Sequence, residues 1–335
     1  MPAIRFGLEF GLKLGLALAA VALTTIAAPV RAQQAYPARP ITIVVPAAAG
    51  GPTDAMARLI GETMGRSLGQ QIVVENTGGA AGTIGMARVA RAAADGYTLA
   101  VWHIAHAIAP ALYDNLRYGV IDDFDSIGRI ADVPMTIIGK ANFEPKGIAD
   151  LIAWVKQRQT AVTYGHAGIG SASHLCSLMF MDALRIKMTA LSYRGTGPAM
   201  TDLLGGQFDM MCDQTTTTTN LIKEGKIKGY AATTRTRLAV LPDLPTLAES
   251  GLKDFEVTAW HAMWAPKGLP ADVAAKLNAA LQAALKDPRV IERLATLGAE
   301  PVPMELATSV ALKAHLTAEV AKWGPVIKAA GARGE

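Results

Sequence analysis

Twice in this chain a short apolar run breaks into small and hydroxyl-bearing residues and then turns helical. The first case is Ile41-Thr42-Ile43-Val44-Val45, followed by Pro46-Ala47-Ala48-Ala49-Gly50-Gly51-Pro52-Thr53-Asp54. The second is Ala161-Val162-Thr163-Tyr164, followed by Gly165-His166-Ala167-Gly168-Ile169-Gly170-Ser171-Ala172-Ser173-His174. Each apolar run reads as a buried strand. Small residues let the backbone approach a guest, and unpaired N–H groups at a new helix start attract an anion. The pair therefore reads as two jaws of one anion-binding cleft.

The first residues read as an address, not as fold. Arg5 and Lys13 precede the apolar run Leu14 to Ala28, and Val30-Arg31-Ala32 offers small residues before a cut near Ala32. The competing reading is an uncleaved membrane anchor, but the run is shorter than the about 20 residues a span needs. Removing 32 of the 335 residues leaves 303, enough for two domains. Loss of Arg5, Lys13, Arg31 and Glu9 takes 32 basic and 28 acidic residues to 29 and 27, a net charge of +2. No basic run interleaves with aromatics, so the chain carries no nucleic-acid signature. The expectation is an exported, periplasmic protein that acts as a monomer on a small anion.

From Ile41 onward strands and helices alternate, which means a mostly parallel sheet covered on both faces. Strands read at 41–45, 71–75 and 97–102, with helices at about 53–67 and after Gly82. Thr53 or Asp54 can cap the first helix. Two extended runs, 124–131 and 135–139, flank Pro134. Alternation then restarts: strands at 161–164, 189–193, 208–212 and 228–233, with helices between. Five threonines, Thr215 to Thr219, read as a turn before a short helix at 219–224. An extended run from Phe255 to Pro266 carries the chain back, and helices at 271–285, 288–297 and 306–330 finish it. The expected architecture is α/β with two domains: a discontinuous first domain of 33–136 plus 256–335, and a second domain of 137–255.

The familiar catalytic motifs do not fit. No glycine is followed by the Lys-Ser/Thr of a P-loop, and Gly79-Ala80-Ala81-Gly82 has the wrong spacing for a dinucleotide fingerprint. Gly170-Ser171-Ala172-Ser173-His174 is not a nucleophile elbow. The histidines show no zincin spacing, so neither a metal nor another cofactor is expected. What stands out is five strand-to-helix turns rich in small residues, at 46–54, 76–83, 165–174, 194–198 and 213–219. In open α/β sheets ligands settle at such turns. A helix terminus contributes about 0.3–1 kcal/mol toward an anion, and a hydrogen bond to a charged group about 1.5–3 kcal/mol. A few of each reach micromolar affinity, about 8 kcal/mol. Asp54 is expected to point away from the ligand. Arg194 reads as a solvated or interdomain ion-pair residue. His103 and His106, past the third strand, lie at the cleft as ligand contacts or packed histidines. Trp260 and Trp264 read as core. Cys176, on a helix, and Cys212, in a strand, are the only cysteines. In an exported protein they permit one disulfide; two buried free thiols are the alternative.

Several stretches together resemble the Bug family, the periplasmic solute-binding receptors of tripartite tricarboxylate transporters. They are Tyr36-Pro37-Ala38-Arg39-Pro40-Ile41, Val45 to Asp54, Gly78 to Gly85, Asp95-Gly96-Tyr97-Thr98-Leu99, Tyr193-Arg194-Gly195-Thr196-Gly197-Pro198-Ala199, and Leu241-Pro242-Asp243-Leu244-Pro245-Thr246. The resemblance covers nearly the whole mature chain. It implies a Venus-flytrap, type II-like periplasmic binding protein, with two α/β domains joined by two crossing strands. It also implies capture of a small carboxylate and its delivery to a membrane permease, with no enzymatic activity. The family holds one carboxylate at the first-domain turn, here Ala48, Ala49, Gly50, Gly51 and Thr53, often through water. Its second domain contributes positions that here are Ser171, Ser173 and Asp213. Gly78 and Gly170 in adjoining turns, with His103 and His106, complete the expected site. An aromatic or heterocyclic acid is as open as a dicarboxylate. Two other functions remain in view: a secreted serine-type hydrolase using Ser171 or Ser173, and a periplasmic sensor that signals to a membrane kinase.

Overall fold

A computed structural model describes residues 35–329 and 331–334; the leader read at residues 1–32 lies outside the described residues. The architecture below is that of the unit Arg39–Glu335. Strand β1 (Ile41–Val45) is β-branched almost throughout and buried, as a central parallel strand must be. Helix α1 (Pro52–Leu68) covers it with Met56, Ile60 and Met64 and ends at Gly69, whose φ of 68° closes the helix in the left-handed region. Strand β2 (Ile72–Asn76), helix α2 (Thr83–Ala90), strand β3 (Thr98–His103) and helix α3 (Ala105–Leu112) follow. β2 and β3 flank β1, both parallel to it. Helix α3 was not legible in the sequence: it is short and has Pro110 inside it.

Strand β4 (Phe124–Lys140) is 17 residues long and organises the rest. Next come α4 (Ile148–Arg158), β5 (Thr163–His166), α5 (Ala172–Leu184), β6 (Thr189–Ser192), α6 (Thr196–Leu204), β7 (Met210–Gln214), α7 (Thr215–Lys223) and β8 (Ile227–Ala232). The chain returns through β9 (Thr258–Pro266) and closes with α8 (Ala271–Lys286), α9 (Pro288–Thr296), β10 (Glu300–Pro301) and α10 (Ser309–Ala329). The strand order is β2-β1-β3-β9-β4-β7-β5-β6, with β8 and β10 also paired to β4. From Phe124 to Pro134, β4 pairs antiparallel with β9; from Met135 onward it pairs with β7 and β8. The sheet thus has two halves, each with a parallel set of strands, joined by one shared strand.

Two sequence expectations change here. The runs on either side of Pro134 form one continuous strand. Pro134 occupies the last rung opposite Thr258, where β4 changes partners, so its missing N–H falls at the seam. The five threonines are the start of α7 instead of a turn. Their poor helix propensity is offset by tertiary hydrogen bonds: Thr215 Oγ1 donates to Gly298 O at 3.0 Å, and Thr218 Oγ1 meets Thr136 Oγ1 at 2.8 Å.

At the second crossing between the halves, Thr233 ties the two connections together. Its N–H donates to Met135 O (2.9 Å), while its hydroxyl accepts from Met135 N (3.1 Å) and lies 2.6 Å from Val257 O. In the second half Cys176 of α5 and Cys212 of β7 are disulfide-bonded, Cα atoms 6.0 Å apart and 36 residues apart in sequence. Replacing both by alanine is expected to lower unfolding stability by roughly 3–4 kcal/mol on the loop-closure scale, measured by urea denaturation. Labelling of both thiols in the wild type without reductant would contradict the bond.

Candidate functional site

The ends of the parallel strands meet around a cavity of about 370 Å³. On one side it is lined by Pro46–Ala48 and Gly51–Thr53 after β1, by Gly79–Gly82 before α2, by Trp102 and His103 at the end of β3, and by Tyr113 after α3. On the other it is lined by Ala167–Ile169 and Ser171, by Ser192–Thr196, and by Gln214. Helices α1, α5, α6 and α7 begin here, with N-caps Gly51, Ser171, Gly195 and Gln214. Only Ser171 caps with its side chain, accepting from His174 N at 3.2 Å. The other three helix starts keep their first-turn donors uncapped by side chains, a positive rim for an anion.

Before α2 three residues in a row are left-handed: Ala80 (φ 44°), Ala81 (φ 50°) and Gly82 (φ 88°). Two alanines in that region store strain of order 1–2 kcal/mol each. Gly82 is required for a second reason, because a Cβ there would stand 2.5 Å from the Trp102 ring.

Among the described residues, no aspartate or glutamate lines the cavity. Arg194 is the single permanently charged lining residue; it is exposed and forms no ion pair among the described residues. Of the two roles expected from sequence, a solvated residue or an interdomain ion pair, it takes the solvated one. Asp54 turns away. It accepts from Gly50 N at 3.0 Å and pairs with Arg58 at 3.0 Å, so it braces the turn and does not cap α1, whose N-cap is Gly51. Burial opposes ionisation of Asp54, but hydrogen bonds from Arg58 and Gly50 outweigh it, and its pKa is lowered.

Thr53 Oγ1 lies 3.0 Å from His261 Nε2, and His261 Nδ1 lies 3.0 Å from Ala259 O. His103 stacks on Trp102 (3.9 Å), and its Nδ1 accepts from Ala105 N at 3.1 Å. Burial, then the neighbouring His261, holds its pKa well below the usual value. His106, expected at the cleft beside it, is a packed histidine. It is fully buried, bonded to Val120 O at 3.0 Å and set edge-on to Phe124.

On the opposite wall, Ser173 stands behind Ser171: it accepts from Ala167 N and lies 3.1 Å from Ser171 Oγ. Neither serine's hydroxyl meets an imidazole among the described residues. Asp213 also stands in the second row, 1% exposed. Thr196 Oγ1 donates to its Oδ1 at 3.3 Å, and its Oδ2 has no partner. Burial pushes its carboxyl up to about 7, against the hydrogen bonds from Gln214 N and Thr196.

Of the residues expected from sequence, Ala48, Gly51, Thr53, His103 and Ser171 line the cavity. Ala49 and Gly50 are exposed at its outer edge, Gly78 backs onto Ala47 and Ala48, and Gly170 faces Leu112 and Ala81. Sequence reasoning did not single out Tyr113, Thr196 and Gln214. Thr196 and Gln214 sit in turns it had counted; Tyr113 follows the helix it missed. The two jaws touch. A Cβ on Gly195 would be 3.0 Å from Ala48 Cβ, and one on Gly51 would be 3.8 Å from Thr196 Cβ.

Residues 56–332 match the family described as the tripartite tricarboxylate transporter family receptor. A protein of Agrobacterium vitis, called the UPF0065 protein in the TAR-I ttuE-ttuC' intergenic region, is 54% identical over 314 residues, covering 93% of this chain and 91% of that one. Among solved structures, the periplasmic binding protein BugD is 49% identical with a TM-score of 0.87, covering 90% of this chain and 100% of its own. MatC of Rhodopseudomonas palustris with bound malate is 39% identical, with a TM-score of 0.84, covering 87% of this chain and 100% of its own. These neighbours share the two-domain α/β fold of periplasmic binding proteins.

Two variants probe the site. Gly195 has a φ of 127°, and its Cβ position abuts Ala48, so Gly195→Ala should favour a more open form. The check is a larger radius of gyration in small-angle scattering; an unchanged radius would contradict it. Asp213 has a folded-state pKa raised above its unfolded value. The stability it contributes is present below about 4 and lost as pH rises through about 7. Asp213→Asn should flatten the fall in Tm across that window, read by circular dichroism.

Proposed function

The chain belongs to the receptor family of tripartite tricarboxylate transporters, and we propose from that premise that it captures a small organic carboxylate in the cavity and presents it to a membrane permease from the periplasm. The observation that carries this reading is the set of helix starts without side-chain caps around a cavity that, among the described residues, has no acidic lining and one cation outside any ion pair, Arg194. One carboxylate meets the backbone donors of Ala48 to Thr53; the far end of the solute meets Ser171, Thr196 and Arg194 across the cleft. Asp213, Ser173, Gly78 and Gly170 shape the site from behind, and no cofactor takes part.

The two lobes, 33–136 with 256–335 and 137–255, close by rotation about the paired crossings at Met135 and Thr233–Val257. A solute that touches both lobes stabilises the closed form by the difference in its contacts with the two states. The malate seen in MatC puts dicarboxylates first among candidates. The family match and the likeness to the periplasmic binding protein BugD favour binding over hydrolysis.

The test is a thermal-shift panel of mono-, di- and tricarboxylates and aromatic acids, run on protein refolded to remove any carried-over solute. A dose-dependent rise in Tm with at least one acid is expected, and no rise with any of them would overturn the reading. Arg194→Gln should weaken binding of the best acid roughly five- to tenfold, the worth of an exposed charge-assisted hydrogen bond, and should reduce its salt dependence. Calorimetric titration at two ionic strengths measures both.

A further inference from the structure

Thr53 offers the cavity no proton. Its hydroxyl oxygen lies 3.0 Å from His261 Nε2, and His261 Nδ1 lies 3.0 Å from the carbonyl of Ala259. A carbonyl only accepts, so Nδ1 carries the ring hydrogen. His261 is completely buried on β9, and burial holds its pKa down to about 4, against the bond to Ala259; the ring is neutral. Nε2 is then an acceptor, and the single hydroxyl hydrogen of Thr53 is committed to it. What the Thr53 oxygen has left for a guest is lone pairs alone. On the same wall His103 has the opposite character. Its Nδ1 accepts from Ala105 N, which leaves the hydrogen of the neutral ring on Nε2. The two imidazoles stand edge to face, 5.5 Å apart.

We propose that Thr53 selects for a hydroxyl on the solute, so that the receptor's ligand is a hydroxy-substituted carboxylate and not its unsubstituted counterpart. This rests on the carboxylate-receptor reading above and narrows it. A hydroxyl can donate to Thr53 and accept from an N–H on the same wall. A methylene at that place leaves the threonine oxygen desolvated and unmet, and a carboxylate oxygen sets acceptor against acceptor. An ammonium group also donates, but no acidic side chain lines the cavity and Arg194 already supplies positive charge. A second, unpaired cation enclosed there is unfavourable.

Calorimetric titration with matched acids decides the matter, again on refolded protein. The pairs are malate with succinate, 2-hydroxyglutarate with glutarate, and citrate with tricarballylate, with aspartate as the ammonium control. In the pair that binds, the hydroxy acid should be about tenfold tighter, the effect of one unmet buried acceptor. Thr53→Val keeps the shape and removes the oxygen; it should bring the two members within about twofold. Thr53→Ser restores the acceptor and should restore the preference. An unsubstituted acid binding as tightly as its hydroxy partner in the wild type overturns this inference alone. So does a preference that survives Thr53→Val, or aspartate as the tightest ligand. Failure of all these acids while another acid of the thermal-shift panel binds also overturns this inference alone; only failure of the whole panel overturns the carboxylate-receptor reading as well.

Discussion

The cavity exists because one strand is paired along successive stretches to two different sets of neighbours. β4 holds β9 from Phe124 to Pro134 and then β7 and β8 from Met135. That change of partners aims the strand ends of both halves at one volume. Backbone hydrogen bonds enforce it, and Thr233 locks the second connection against the first with main-chain and hydroxyl contacts to Met135 and Val257. Side chains at the rim then have little positioning left to do. Most of the wall is backbone, glycine, alanine and small hydroxyl residues.

A wall of that kind handles charge through dipoles. Helix starts α1, α6 and α7 present unpaired donors with no side-chain cap. Asp54, in the first turn of α1, is turned back into an ion pair with Arg58. Asp213 sits behind the second-half wall and is pushed toward the neutral form by burial. Neither carboxyl is part of the lining. The neutral, buried histidines on the first-half wall add direction without adding charge.

Much of this was legible in the residues. The β-branched runs, the small-residue turns and the helical stripes fixed the order of elements nearly throughout, and the recurrence of the turns in both blocks pointed to one shared cleft. The misses have physical causes. Pro134 marked a break because proline cannot donate, yet at a seam between partners no donor is needed. Thr215 to Thr219 read as a turn because their propensity is poor, and the hydrogen bonds that override it come from Gly298, Leu297 and Thr136, far off in sequence. The division of His103 from His106 into lining and core depends on α3, which the pattern did not reveal. Thr53 was expected in the site, but its bond to His261, 208 residues away, is a tertiary fact.

The disulfide has a bearing beyond stability. Cys176 lies one turn into the helix that starts at Ser171, and Cys212 lies two residues before Gln214, so the bond fastens together the two elements that carry one wall of the cavity. That wall is covalently complete only after the thiols are oxidised. The spacing of that wall thus depends on the redox state of two cysteines that themselves lie outside the cavity.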